Sequence, residues 1–223
     1  MKVIRLECKA MFDSPVLGSA SANPDLYGEF LGSRSGDADK LQEELEALPA
    51  EELVTKGTTV FLRNAEDACM LFDYQVEGML KENCAQLTRM PDSESKKVKA
   101  WRKQMLLVHV YPRQIVMTPP EPITEMEHHV RPLRIEDWKN GDRTALAASE
   151  KLPAGTTFAF QVETPPHLLK PTLEWLQHGK NNGLGQWRNG GFGQISVEVV
   201  GAEEIEGTVD EVHKKVQGLL KDK

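Results

Sequence analysis

Apolar and polar residues alternate at the start of the chain. Ile4, Leu6, Cys8, Ala10 and Phe12 fall on one side, and Arg5, Glu7, Lys9 and Met11 on the other. A period of two is that of a half-buried strand, so the spacing predicts β-structure over residues 3–12. The same alternation returns at Phe158, Phe160 and Val162, and again over 194–200, with a shorter run at Val60–Arg63. The apolar stretch from Met105 to Met117, interrupted by Pro112, predicts one or two further strands. Helical spacing governs other segments. Val76, Met79, Leu80 and Cys84 share one face of a helix predicted over 74–87. Leu41, Leu45 and Leu48 mark a second that ends at Pro49, and Leu26–Leu31 one or two turns. A helix over 171–178 has Pro171 at its start and Gly179 after its end. Thr208 and Glu211 form a capping box, followed by Val212, Val216, Leu219 and Leu220 on one face of a C-terminal helix. Strands interleaved with helices, some at hairpin spacing, predict an α+β fold with a ferredoxin-like core.

Between these elements lie a long loop from Asp13 to Asp25 and an insertion at about 119–143 that carries His128, His129, Arg131, Arg134 and Trp138. The whole of 1–223 is taken as a single domain bearing that insertion. Before the last strand the chain places Gly183, Gly185, Gly190, Gly191 and Gly193 around Trp187 and Arg188. Glycines at fixed offsets cost backbone entropy, and a loop that keeps them needs positive φ or close backbone approach. Such a loop offers bare N–H groups and one guanidinium, a combination suited to phosphodiester oxygens. The spacing fits neither a dinucleotide fingerprint, where Arg188 stands in place of the third glycine, nor a P-loop, where Gly190 would be followed by lysine.

The loop resembles the C-terminal glycine loop of the RAMP superfamily, the repeat-associated proteins of CRISPR systems. Three further segments resemble that family in order and character. They are Gly57–Arg63 followed by Asp73–Glu82, Leu152–Phe160, and the Leu168–Leu176 segment ahead of the loop. The resemblance implies an RNA-recognition-like β-α-β-β-α-β core and an RNA-binding protein similar to the backbone subunits of CRISPR effectors, with a role in antiviral defense. The expected RNA contacts are Gly183, Gly185, Trp187, Arg188, Gly190, Gly191 and Gly193, with Lys81 in the facing helix and Lys96, Lys97 and Arg102 beyond it. Single-stranded or guide-like RNA, other effector subunits and further copies of the chain are the implied partners; no cofactor is implied. The chain also departs from the family. The lysine-bearing helix stretch that faces RNA reads Tyr74, Gln75, Val76, Glu77, Gly78 here, and only Lys81 keeps a positive charge. The chain thus resembles a divergent member of the family, of the kind a phage or prophage could encode.

Composition adjusts the picture. The net charge of −7 opposes nucleic-acid binding, because positive charge dominates phosphate affinity. Its distribution is uneven: Lys96, Lys97, Lys99, Arg102, Lys103 and Arg113 have no acid among them, whereas 37–53 is strongly acidic. No apolar run is long enough to span a membrane, and Cys8, Cys69 and Cys84 show no metal-binding spacing. A cytoplasmic protein with free thiols is expected. Two alternatives remain open. One is an endoribonuclease of the CRISPR-processing kind, using His128, His129, Asp13 or Asp25; the other is a phage protein that binds a CRISPR complex to inhibit it. Adjacent histidines point apart on a strand, and Asn23–Asp25 reads as a helix start, so neither cluster forms a ready catalytic pair.

Overall fold

The computed structural model describes residues 2–22, 58–135 and 143–206. The segments 26–31 and 41–48, the acidic run, Asp25, Trp138 and the C-terminal helix lie outside them. Strand β1 (Lys2–Phe12) is followed by the short β2 (Val16–Leu17) and β3 (Ala20–Ser21). Next come β4 (Thr58–Val60), β5 (Leu62–Arg63), β6 (Cys69–Phe72) and helix α1 (Asp73–Leu87). The one-turn α2 (Trp101–Gln104) leads into β7 (His109–Tyr111) and β8 (Gln114–Thr118). Then come β9 (Glu127–Ile135), β10 (Arg143–Leu152) and β11 (Thr157–Thr164). Helices α3 (Leu169–Gln177) and α4 (Gly179–Asn182) precede β12 (Ile195–Glu206).

The central sheet runs β12-β1-β11-β8-β6-β5, with β7 also paired to β11. Strand β1 is antiparallel to both β11 and β12, and β11 is antiparallel to β7 and β8. Taken as β1, α1, β7–β8, β11, α3–α4 and β12, this is a β-α-β-β-α-β ferredoxin-like core of antiparallel strands. The fold is α+β, as the periodicity predicts. Leu6, Cys8, Ala10 and Phe12 of β1 and Phe158, Phe160 and Val162 of β11 form one core cluster with Val76, Met79, Leu80, Cys84, Trp175 and Leu176 of the helices. Fully burying each aliphatic side chain contributes about 1.5–3 kcal/mol. Helix α1 begins with the Phe72 N–H donating to Gln75 Oε1 at 2.9 Å, and Asp73 favours its positive N-terminus.

The segment expected to be an irregular insertion holds β9, which pairs with β10 along its length. With β2, β3 and β4 these strands make a second sheet. Residues Ala20, Ala22, Val60, Leu62, Met70 and Phe72 form a smaller core cluster of their own. The buried carboxylate of Glu150 on β10 accepts the Phe61 N–H at 2.7 Å and pairs with Arg63 at 2.8 Å.

All three cysteines are buried and unbridged. Burial pushes the Cys8 and Cys84 thiols up to about 12 and Cys69 to about 11. Thiolate is the reactive form, so the folded protein should react with a thiol reagent only as fast as it opens. Unfolding in denaturant should release all three thiols at once. Rapid labelling of any one in the native state would contradict this packing.

Candidate nucleic-acid interface

The glycine loop leaves α4 and closes on itself before β12. Its neck is the pair Gly183 and Gly193: the Leu184 N–H donates to Gly193 O at 2.8 Å. A Cβ on Gly193, with φ +73°, would lie 1.7 Å from Leu184 O. A Cβ on Gly183 would lie 2.0 Å from Gly193 O. The loop then docks on the β1–β2 connection. Gln186 N–H donates to Leu17 O at 3.2 Å, and Gly193 N–H to Pro15 O at 2.8 Å. Gly185 faces Leu17 O, where a Cβ would come within 2.6 Å. Gly190 lies under the Trp187 ring, and only Gly191 faces open space.

This corrects the expectation of bare amides. The N–H groups of Gly183, Leu184, Gln186, Gly190, Gly191 and Gly193 already donate to protein carbonyls. The glycines let the backbone pass close to itself.

The Nη1 of Arg188 donates to Glu82 Oε2 of α1 at 2.7 Å and to Asn182 Oδ1 at 3.2 Å. Asn182 Nδ2 donates to Asn83 Oδ1 at 2.9 Å, and Asn83 Nδ2 to Trp175 O at 2.8 Å. Asn83 is fully buried on the apolar side of α1, so a satisfied polar chain runs from the core to the guanidinium and fixes where Arg188 stands. Arg188 is therefore not the partnerless loop arginine that the sequence suggests.

Between the loop and α1 lies a cleft of about 340 Å³. Gly183, Leu184, Gly185 and Arg188 line one wall, Tyr74, Gln75, Gly78 and Glu82 the other, and Ser19 and Ala20 the end. Gln75 Nε2 donates to Ser19 Oγ at 3.1 Å. Glu77 does not line the cleft. It accepts the Val110 N–H at 3.2 Å, and burial raises its carboxyl above the usual range. Lys81 is exposed on α1 and is likewise absent from the lining.

The basic run sits on the same helix-bearing side of the central sheet. The 3₁₀ turn Ser95–Lys97 is tied to the end of α1 by Ser93 Oγ donating to Leu87 O at 2.6 Å. It is tied to α3 by Ser95 N–H donating to Glu174 Oε2 at 2.9 Å. Lys96, Lys99, Arg102 and Lys103 are exposed. Two cations of the run are engaged: Lys97 pairs with Glu94 at 2.6 Å and Arg113 with Asp73 at 3.3 Å. Arg113 also lies over the Phe72 ring. The opposite, open face of the sheet has the wrong balance for phosphate. Glu163 and Glu203 hold Arg5 at 2.7 and 3.1 Å, and Glu7 and Glu198 lie along the same face.

Trp187 packs with its own chain. Its ring stacks on Phe192 (centroids 5.3 Å apart, 19° between planes) and touches His129 at 5.2 Å, with Arg131 Cζ 4.7 Å from its centroid. The last strand opens at Ile195, and Phe192 stays outside it, half-buried beside Trp187. His128 and His129 lie on β9, not in a loop. Asp13 accepts the Ser196 hydroxyl at 2.7 Å. Among the described residues no group of His, Cys, Asp and Glu could hold a metal, and no helix is long and apolar enough to cross a membrane. Sequence reasoning missed Glu82, Asn83 and Asn182. The one signal available was an asparagine on the apolar face of a predicted helix.

No family model matches the chain, and no curated protein sequence matches it. Among solved structures, the fold is similar to a chain in the cryo-EM structure of the Type III-B Cmr-beta bound to cognate target RNA. The TM-score is 0.51 at 10% identity, over 92% of this chain and 61% of that one. This protein thus spans about three fifths of that neighbour's length. It also matches a chain of a Type IV-B CRISPR complex with TM-score 0.48 and 12% identity, over 92% of this chain and 91% of that one. At 10% identity the likeness to the Cmr-beta chain is one of fold.

Proposed function

We propose that the protein binds single-stranded RNA by its phosphates in the cleft between the glycine loop and α1, as a component of a CRISPR-type RNA assembly. The observation that carries this reading is Arg188, held at the wall of that cleft by Glu82 and a buried asparagine pair. A guanidinium already oriented loses little freedom on taking up a phosphate. The loop glycines supply its shape, and the exposed Lys96, Arg102 and Lys103 add long-range attraction on the same side. The structural neighbour is a chain of a Cmr-beta assembly bound to target RNA, which supports the class of ligand.

Of the alternatives, cleavage would need a paired acid and base. Here His129 is packed among rings, His128 stands on the strand beside it, and Asp13 is engaged by Ser196. A protein-binding inhibitor draws support from the net charge of −7 and the acidic open face.

Titration of labelled single-stranded RNA tests the reading. Arg188→Ala should weaken binding by about 1–3 kcal/mol, the scale of a hydrogen bond to a charged group. It should also reduce the salt slope by about 0.7, one phosphate on a single strand. Glu82→Gln should act oppositely. The amide still accepts from Arg188 and keeps it in place, while removing the competing carboxylate of a half-exposed pair, worth up to about 1 kcal/mol, should tighten binding by up to about fivefold. Equal affinity and equal slope in folded wild type and Arg188→Ala would contradict the reading.

A further inference from the structure

The ring cluster on the other side of the glycine loop has no part in the cleft, yet it is built with care. Trp187 adopts φ +52°, a left-handed conformation that L side chains rarely take. Its effect is to send two successive side chains apart. Arg188 turns to Glu82 and Asn182 at the cleft, and Trp187 turns to Phe192, His129 and Arg131. The Trp187 ring is supported from the loop side by Gly190, where a Cβ would come within 2.6 Å of it. Phe192 stacks beside it and His129 tilts against both rings. Even so, 41% of Trp187 stays exposed. Arg131 Nε and His129 Nε2 are buried without hydrogen-bond partners, so the cluster carries polar capacity that its own contacts leave unused.

We infer that Trp187, with Phe192 beside it and Arg131 and His129 behind it, is a stacking site for one RNA base. This rests on the phosphate-binding role proposed for Arg188. A base and its phosphate are separated by one sugar, and adjacent side chains diverging from one loop can meet both. The exposed part of the indole, backed by glycine and enriched by a guanidinium, offers π-surface that suits any base, because every base has a π-face. Recognition at this point would be tolerant of sequence and would set the register of the strand across the loop.

The test compares wild type, Trp187→Phe, Trp187→Ala and Phe192→Ala on a single-stranded RNA and on the same strand carrying abasic residues, with circular dichroism to confirm folding. Trp187→Ala should weaken binding of the base-bearing strand about 5- to 150-fold, the range of a lost base–aromatic stack. Its salt slope should not change, unlike that of Arg188→Ala. Trp187→Phe should recover most of the loss, Phe192→Ala should show a smaller one, and on the abasic strand all four proteins should converge. Wild-type tryptophan emission should fall on RNA binding, and that change should be missing in Trp187→Phe. Equal affinity of wild type and Trp187→Ala for the base-bearing strand, with Arg188→Ala still impaired, would remove the base site and leave the cleft reading intact. Equal losses on base-bearing and abasic strands would make the cluster a structural support only, which also overturns the inference. If wild type binds neither strand, both readings fall together.

Discussion

Gly193→Val should lower stability by about 2–5 kcal/mol, far more than Gly191→Ala in the same loop. Both glycines have positive φ, +73° and +85°, so each substitution incurs the left-handed cost of about 1–2 kcal/mol. Gly191 has no atom within 4 Å of a built Cβ, and its cost stops there. At Gly193 the Cβ would sit 1.7 Å from Leu184 O, which is backbone and cannot rotate away. The loop neck must open, adding about 1–3 kcal/mol of overpacking. The Leu184–Gly193 hydrogen bond that closes the neck is then lost as well. For a protein of this size the melting temperature should drop by roughly 5–20 °C. Thermal scans giving both variants the same shift would show that the neck is not closed as described. Because Arg188 hangs from this loop, RNA affinity should fall with Gly193→Val even where the protein stays folded.

Glu150→Ala is the second large effect, expected at about 3–5 kcal/mol, the cost of stranding one member of a buried ion pair. The Glu150 side chain is 5% exposed and that of Arg63 is 15% exposed. Without the carboxylate, Arg63 keeps, among the described residues, only Asp67 as an ion-pair partner at 3.7 Å, itself largely in solvent, and the Phe61 N–H loses its acceptor. Glu150→Gln retains an acceptor for Phe61 and should cost less. The pair joins β10 to the β4–β5 segment, so the second sheet depends on it. Denaturant midpoints showing Glu150→Ala no worse than Glu150→Gln would mean that the charge is solvated in the folded state.

Where burial enforces a simple period, the sequence was a sound guide. Strand β1 repeats every second residue because one side packs on helices and the other faces solvent, and the pattern predicted its limits to within a residue. Helix α1 was predicted over 74–87 and found at Asp73–Leu87 for the same reason. Strands β9 and β10 were not legible. Their sequences, EHHVRPLRI and RTALAASEKL, alternate poorly, and the second is rich in alanine, a helix former. It is their mutual pairing, and that of β10 with β4 and β2, that makes them strands.

The site was legible in part. The glycine spacing marked the loop and the facing helix marked the cleft. What the spacing could not tell was whether the glycines serve a ligand or the backbone itself. Gly183 and Gly193 answer that by meeting each other across the neck. Nor could any local pattern connect Asn83 to Asn182, 99 residues on, since that contact exists only once α1 and α4 are packed. Lys97 and Arg113 read as free cations in the sequence, yet partners outside or at the edge of the run, Glu94 and Asp73, hold them.

The central claim is that RNA lies between the glycine loop and α1, and photo-crosslinking addresses it most directly. Single-stranded RNA with 4-thiouridine at successive positions would be irradiated with the protein, and the attached peptides mapped by mass spectrometry. The account predicts crosslinks within 183–193 and on the cleft-facing part of α1, Tyr74 to Glu82, lost in competition with unlabelled RNA. Crosslinks confined to the open face of the central sheet, around Met11, Val116 and Ala159, would contradict it.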